Sequence, residues 1–347
     1  MRSVRQLLRR VSAGSRIFLA ARGQAASAVR LRHRIVCGIL AGAWIGCFAW
    51  WGLAASGLGA RDFGVALRDA RALVDRRDPY AVPVGFDWVL YPLTAALFAL
   101  PFVGLSPPVA GGLFAGISAG LLVFAVLRDG WNRLLIVLSY PFWSAVVTVQ
   151  WSPLLMAAAS LPWLFPVVIA KPNLGLPVAL RSATRAGIGA AAALTLITIV
   201  WVPGWPAAWW RGMAGYQSFV PVASGAGCLL LLALARHRDK DARFLVLMSA
   251  IPQRWFYDAL PLWLIPSTTG ELLSTSLISW GALLFTPERR TIRQVALLSA
   301  IFNYLPMLVV VWTRPWRRLE STRREARSAG DAGSSSEARA PQPGSVP

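Results

Sequence analysis

The chain has 347 residues, of which 56% are hydrophobic and only 14% are charged, and its mean hydropathy is +0.53. Because a soluble protein of this length carries more charge, the composition excludes an ordinary globular cytosolic protein. The formal net charge of +20 does not indicate nucleic-acid binding, because the arginines crowd into both terminal segments beside apolar runs. Basic flanks of this kind mark the cytoplasmic side of membrane segments and attract anionic headgroups, so we predict membrane lipids, and no nucleic acid, as partners.

Apolar runs long enough to cross a hydrocarbon core of roughly 30 Å recur along the chain. They lie at about 35–58, 88–105, 107–127, 133–149, 151–170, 186–204, 219–236, 244–266, 268–286 and 295–313. We therefore predict an all-α polytopic membrane protein with about ten transmembrane helices, some short or broken, and with both termini cytoplasmic. Residues 1–34 are predicted to form a basic cytoplasmic segment, 35–313 the transmembrane domain, and 314–347 a basic, largely disordered cytoplasmic tail.

Four basic connections separate the later runs: "RDGWNR", "RSATR", "RHRDKDAR" and "PERRTIR". The positive-inside tendency would place all four in the cytoplasm, which strict alternation over ten spans does not allow. Some segments must therefore be short, broken or re-entrant, and prolines in "SLPWLFPVV" and "NYLPML" favour such breaks. The aromatic stretch "GWPAAWWRGMAGYQSF", 204 to 219, is typical of an anchor at the headgroup level.

The first outer loop, predicted at 59–87, holds four of the fifteen carboxylates: Asp62, Asp69, Asp75 and Asp78. Its spacing predicts an amphipathic interfacial helix that ends at Pro79. One interpretation is a solvated helix held by salt bridges, in which Asp75 pairs with neighbouring arginines and Asp78 stabilises the helix end. The other is a general base at the membrane surface, with Asp62 as the first candidate and Asp69, on the same helix face, as the reserve.

Polar residues interrupt the apolar segments at a few further places. Tyr91 begins one segment together with a proline, and Gln150 breaks another. Lys171, one of only two lysines, lies between apolar stretches. It either snorkels at a helix end or binds a phosphate as a point charge.

A last polar group, Arg254, Tyr257 and Asp258, lies within "SAIPQRWFYDALPLWLIP". Arg254 and Asp258 are spaced to pair directly if this stretch is helical. The group is then either a structural ion pair at a helix break or the polar wall of an active site. The three cysteines and two histidines show no metal-ligand or haem-ligand spacing, so we predict no cofactor and leave a divalent cation open.

In this order, the motifs resemble those of glycosyltransferase family 87, the bacterial membrane mannosyltransferase-like group of the GT-C superfamily. The matching elements are Asp62, "ARALVDRRDPYA" (70 to 81), "YPLT" (91 to 94), "VQWS" (149 to 152) and "AKPNLGLP" (170 to 177). The chain departs from the family pattern at three positions: Leu93 replaces a proline, Val149 a glycine and Ser152 an asparagine. A histidine that the family often carries in the late motif is absent, and Tyr257 and Asp258 occupy that region.

The resemblance implies a GT-C-like bundle that transfers a mannose-like sugar, with inversion, from a polyprenyl-phosphate donor to a glycolipid or glycan at the outer face of the bacterial inner membrane. For this chemistry we assign Asp62 as the base, with Asp69 in reserve, and Lys171 and Arg254 as the donor-phosphate ligands. The residues assigned to substrate binding are Tyr80, Tyr91, Gln150, Tyr257 and Asp258.

Two other functions remain open. A non-catalytic membrane subunit could keep the GT-C fold, and the departures from the motifs favour that reading. A transporter of a lipid-linked or small solute would be expected to carry inverted repeats and ionisable residues near the bilayer midplane. The sequence has no repeat of fixed period, and its acids cluster at one predicted surface, which favours the enzyme.

Overall fold

The computed structural model describes residues 29–81, 91–213, 216–288 and 290–314. Within these ranges every regular element is helical, and the one strand-like pairing is an isolated antiparallel bridge between Phe219 and Gln253. The predicted all-α class is confirmed for this part of the chain. Most of the predicted N-terminal segment, nearly all of the predicted tail, positions 82–87 of the predicted first outer loop and positions 88–90 of the predicted span after it lie outside the described residues.

The α-helices of these ranges are α1 (Leu31–Ser56), α2 (Phe63–Val74), α3 (Leu93–Ala99), α4 (Pro107–Val126), α5 (Tyr140–Thr148), α6 (Ser152–Ala158), α7 (Pro172–Ser182), α8 (Arg185–Trp201), α9 (Trp205–Gly212), α10 (Lys240–Ala250), α11 (Thr269–Ser279), α12 (Gly281–Leu284), α13 (Ile292–Ser299) and α14 (Leu305–Thr313). Between them lie 3-10 helices at Leu100–Phe102, Leu127–Asp129, Trp131–Leu138, Pro162–Ala170, Pro221–Ala223, Gly225–Arg236 and Phe256–Leu264, and a π-helical turn at Ala300–Tyr304.

Among the described residues, three helices are long and apolar enough to cross a membrane: Leu31–Ser56, Pro107–Asp129 and Ile292–Thr313. The pair α8 and α9, bent by 96° at the break between them, is a fourth candidate. These helices support the assignment to membrane proteins, whereas their length and composition do not confirm the predicted count of about ten. The first span begins at Leu31, so the predicted boundary at residue 35 is late.

Proline accounts for the irregular form of several apolar segments. Pro166 lies inside Pro162–Ala170 and Pro261 inside Phe256–Leu264, and both segments are 3-10 rather than α-helical. A proline within a helix removes one backbone donor and crowds the preceding turn, so carbonyl groups nearby need other partners. At the end of the second segment, where the last carbonyl groups of a helix have no N–H partner of their own, the Arg133 guanidinium donates to the carbonyl oxygens of Trp263 (3.0 Å) and Pro266.

Glycines on α1 and α4 allow these two helices to touch along most of their length. A side chain added at Gly116 would come within 2.6 Å of the Gly42 carbonyl oxygen and 3.0 Å of the Gly46 Cα atom. Gly112 and Gly120 meet the backbone of α1 equally closely. The spacing of four residues is the small-residue pattern that lets membrane helices approach each other. The sequence contains this spacing in "GILAGAWIG" of α1 and "GLFAGISAG" of α4.

We expect Gly116→Ala to destabilise the protein by about 1–3 kcal/mol, because the added methyl group would have to push two backbones apart. Gly52→Ala is the matched control: Gly52 lies on α1 with nothing within 4 Å of an added Cβ. It should be neutral or slightly stabilising, since alanine is the better helix former. Thermal unfolding in detergent compares the two variants, and equal midpoints would contradict this account of the helix contact.

Several basic connections gather at one end of the helices, here called the basic end. Arg34, at the start of α1, donates to the Phe124 carbonyl oxygen at 3.1 Å, so α1 and α4 place their first and last turns there respectively. Arg181 pairs with Asp241 at 2.7 Å and donates to the Leu264 carbonyl at 3.3 Å. Further residues of this end, joined through hydrogen bonds, ion pairs or ring contacts, are His33, Trp131, Arg133, Arg236, Glu271 and Arg314. Three of the four basic connections therefore lie at the basic end: "RDGWNR", "RSATR" and "RHRDKDAR".

The fourth basic connection, "PERRTIR", lies at the opposite end. The Arg290 guanidinium is 4.4 Å from the centroid of a Trp255 ring, close in sequence to Arg254 and Asp258. Helices α11 and α12 lead from Glu271 at the basic end to this loop, and α13 and α14 return from it to Arg314. The expectation that all four connections share one side is wrong for this one.

The predicted span at 151–170 turns back on itself. The side chains of Gln150 and Lys171, which flank this segment, are 3.0 Å apart, so the chain between them leaves and returns to one place. Helix α6 forms the first arm and Pro162–Ala170 the second. The prediction of a single straight span is therefore wrong for this segment, which folds back between Gln150 and Lys171.

The helix of the first outer loop, α2, ends at Val74 rather than at Pro79. Arg76, just beyond it, has a φ of 57°, a left-handed conformation that ends the helix. Most of α2 is buried, including Phe63, Ala66 and Leu67. Because Phe63 stacks on Phe114 of α4, with ring centroids 4.0 Å apart, α2 packs on protein as well as presenting charges outward.

Candidate active site

Four polar side chains from distant parts of the sequence form one hydrogen-bonded row, here called the polar row: Asp62, Gln150, Lys171 and Asp258. The Gln150 amide donates to Asp62 Oδ2. Lys171 Nζ donates to Gln150 Oε1 at 3.0 Å and to Asp258 Oδ1 at 2.7 Å. All four residues were predicted site residues, and the structure brings them together.

Accessibility differs along the polar row. Gln150, Lys171 and Asp258 are buried, with exposed fractions of 2%, 5% and 0%, whereas Asp62 is half-buried. Asp62 also accepts a hydrogen bond from the Tyr257 hydroxyl at 3.1 Å. Asp62 is therefore the member of the row that is open to the surroundings, and the buried Gln150 orients it.

Backbone contacts hold Asp62 and Gln150 near each other. The Asp62 N–H donates to the carbonyl oxygen of Thr148, the last residue of α5, at 3.2 Å. Gln150 follows Thr148 after a single residue, Val149, whose φ of 54° and ψ of 61° turn the chain out of the helix. A β-branched residue in this left-handed region is strained.

The strain at Val149 predicts that glycine is more stable than alanine at this position, the reverse of their order inside a helix. We expect Val149→Gly to be more stable than Val149→Ala by about 1 kcal/mol or more, because only glycine adopts a positive φ without cost. Both variants lose the buried valine side chain, so their difference isolates the backbone. At Val147, an exposed position within α5, alanine should instead be the more stable, by about 1 kcal/mol. Unfolding midpoints of the four variants provide the comparison; the same order at both positions would rule out strain at Val149.

Lys171 is not a snorkelling lysine. Its ammonium group is paired with Asp258 inside the protein, 4.8 Å from the centroid of the Tyr257 ring. The second oxygen of Asp258 accepts the Arg254 backbone N–H at 2.8 Å. The Arg254 and Asp258 side chains, which helical spacing would allow to pair, form no ion pair among the described residues. The Arg254 guanidinium instead lies over the Tyr216 ring, 5.6 Å from its centroid.

Aromatic residues close the site. Tyr91 is 4% exposed, packs near Trp151 and lies within electrostatic range of Asp62 and Asp258. The Tyr80 hydroxyl donates to the Tyr91 carbonyl oxygen at 3.0 Å, so it positions the Tyr91 backbone. Tyr216 was missed as a site residue, because its aromatic stretch is typical of an interfacial anchor. The only signal in the sequence was that two tryptophans and an arginine stand close to Tyr216.

The other acids of the first outer loop do not join the polar row within the described residues. Asp69 is 3% exposed and binds the Arg68 guanidinium at 2.7 Å. Burial raises the pKa of Asp69 to about 6, although Arg68 acts in the opposite direction. Asp75 pairs with Arg77, as predicted. Asp78 accepts the Tyr80 backbone N–H at 2.9 Å, and its predicted place at the helix end is wrong because α2 ends at Val74.

The arrangement suits proton removal by a carboxylate beside a patch of positive charge. Asp62 accepts hydrogen bonds from the Gln150 amide and the Tyr257 phenol, which fix its orientation. No group of three or more potential metal ligands occurs among the described histidines, cysteines and acids. No family model, no curated protein and no solved structure matches this chain.

Proposed function

We propose that the protein is a membrane glycosyltransferase that moves a sugar, mannose-like by the motif resemblance, from a polyprenyl-phosphate donor to an acceptor hydroxyl. The observation that carries the proposal is the polar row. Asp62, Gln150, Lys171 and Asp258 lie far apart in an apolar sequence, yet they meet at one half-open place. A row of ionisable groups is costly to bury, and such rows are typical of functional sites in membrane proteins.

In this reaction Asp62 acts as the general base. It accepts the proton of the acceptor hydroxyl while the acceptor oxygen attacks the anomeric carbon from the face opposite the phosphate. The bond between that carbon and the phosphate oxygen breaks, and the phosphate leaves with the electron pair. One substitution at carbon inverts its configuration.

The departing phosphate needs positive charge. Arg254 is the first candidate, because its side chain forms no ion pair among the described residues and lies against Tyr216. Lys171 already binds Asp258, so it would meet the phosphate only by exchanging that partner. Gln150 and Tyr257 hold Asp62, and Tyr91, supported by Tyr80, is the candidate for contact with sugar hydroxyls.

The basic end is assigned to the cytoplasm by the positive-inside tendency. On this assignment we propose that both termini are cytoplasmic and that Asp62 is on the outer side, because α1 and α4 separate the two ends by about 30 Å of helix. A bacterial inner membrane and a bundle of about ten passes, several of them short, are part of the same proposal.

A non-catalytic subunit with the same fold is the second candidate. Asp62 is satisfied by Gln150 and Tyr257 without any substrate, which a structural role also requires. Val149 also favours this candidate, because it replaces the glycine of the family motif at a position where the backbone has a positive φ.

Mass spectrometry of glycolipids and surface polysaccharides distinguishes the glycosyltransferase from the non-catalytic subunit. Cells that lack the gene should accumulate a glycan one sugar shorter than that of cells that carry it. Re-expression of the wild-type chain should restore the longer glycan. An identical glycan profile in both strains would favour the non-catalytic subunit.

A further inference from the structure

Gln253 is a fully buried polar residue that does not belong to the polar row. It follows α10 by three residues and is 0% exposed. Its side-chain amide donates to the Met248 carbonyl oxygen at 2.8 Å and to the Tyr304 hydroxyl. The Tyr304 hydroxyl donates in turn to the same Met248 carbonyl at 3.3 Å. Met248 lies in the last turn of α10, where carbonyl groups have no N–H partner within the helix. These three residues are here called the Gln253 clamp.

The backbone of Gln253 is held as well as its side chain. Its N–H donates to the Phe219 carbonyl oxygen, and its carbonyl oxygen accepts the Phe219 N–H, both at 2.8 Å. Tyr304 ends the π-helical turn, and Phe219 lies three residues after Tyr216. Gln253 therefore ties the end of α10 to the π-helical turn and to the segment that carries Tyr216.

The clamp directly precedes the residue that binds the polar row through its backbone. The N–H of Arg254 donates to Asp258 Oδ2 at 2.8 Å. The other oxygen of this carboxylate, Oδ1, accepts Lys171 Nζ at 2.7 Å. A rotation of the peptide unit between Gln253 and Arg254 would turn the N–H away from Asp258. Because Gln253 is bound on all sides, that rotation is hindered.

We infer that Gln253 is a positioning residue for the polar row, anchored by Tyr304 and acting on Asp258 through the Arg254 backbone N–H. The inference rests on the proposed function and deepens it. A residue that only capped α10 would need one donor at the Met248 carbonyl. Gln253 has two further attachments, to Tyr304 and to Phe219, and the N–H that follows it binds the row and not the helix.

Two substitutions test the clamp in the full-length protein in nanodiscs. Gln253→Met keeps the bulk of the side chain and removes its donors, and Tyr304→Phe removes only the hydroxyl group. In Gln253→Met the Arg254 N–H should exchange with solvent about tenfold or more faster than in the wild type, as residue-level hydrogen exchange measures. Tyr304→Phe should change in the same direction by less, because Gln253 keeps the Met248 carbonyl.

Activity is measured as transfer of radiolabelled mannose from mannosyl farnesyl phosphate to a lipid extract of cells that carry the gene. At saturating donor, Gln253→Met should transfer sugar about tenfold or more slowly, since small misplacements behind a site are costly. Ser276→Ala is the matched control. Ser276 is equally buried, accepts the Trp263 indole N–H at 2.9 Å and donates to the Leu135 carbonyl at 3.0 Å. This control should lower the unfolding midpoint and leave both Arg254 exchange and the transfer rate unchanged.

The possible results separate the clamp from the proposed function. If the Arg254 N–H exchanged equally fast in Gln253→Met, Tyr304→Phe and Ser276→Ala, Gln253 would not position it. If exchange increased but transfer fell no further than in Ser276→Ala, the reaction would not depend on the clamp, and the inference would be wrong while the proposed function stood. If the wild type transferred no sugar while exchange increased in Gln253→Met, the proposed function would fail and the positioning of Asp258 would stand.

Discussion

Asp62→Asn is expected to lower the rate of sugar transfer by about 10²–10⁴-fold, the usual contribution of a positioned general base. Asparagine keeps the size of the side chain and can still accept from the Tyr257 hydroxyl, which lies 3.1 Å from Asp62. It cannot take the acceptor proton. The loss should therefore appear in the rate of transfer, with little change in donor affinity.

The matched control for this substitution is Asp75→Asn. Asp75 belongs to the same loop, pairs with Arg77 and is exposed, so its loss should leave the transfer rate unchanged. Both variants are compared in proteoliposomes at equal protein content, with radiolabelled donor. If Asp62→Asn transferred sugar at the wild-type rate, Asp62 would not be the base. Asp69, with its raised pKa of about 6, would then be the next acid to replace.

The second large effect is on stability and concerns the buried pair of Lys171 and Asp258. Their side chains are 7% and 0% exposed and 2.7 Å apart. Lys171→Met or Asp258→Leu alone should cost about 3–5 kcal/mol, because each leaves one charge buried without its partner. The double variant should be markedly more stable than the sum of the single changes predicts, since it buries no unpaired charge.

Reversible unfolding in mixed micelles measures this double-mutant cycle. The exposed pair of Asp75 and Arg77, with side chains 52% and 62% exposed, is the control. Removing Arg77 there should cost less than about 1 kcal/mol, because water screens a surface ion pair. Additive losses in the Lys171 and Asp258 variants would mean that the two charges do not interact in the interior.

Local residue pattern determined much of the fold. Apolar runs long enough to cross a membrane predicted an all-helical membrane protein, and prolines predicted broken segments. The rarity of polar residues in such runs also singled out Gln150, Lys171 and Asp258, because an unneeded polar group is costly there. Each of these inferences depends on neighbours within a few turns of the chain.

The tertiary structure decided the partners of those residues. Lys171 pairs with Asp258, while Arg254, four residues from Asp258, turns its side chain to Tyr216. The fold-back between Gln150 and Lys171 and the position of Arg290 also depend on contacts between distant segments. By itself, the sequence determined which side chains must find a partner, because burial of charge is costly anywhere in the interior. Only the tertiary structure determined which partner each one found, because hydrogen bonds and ion pairs depend on distances that local periodicity does not encode.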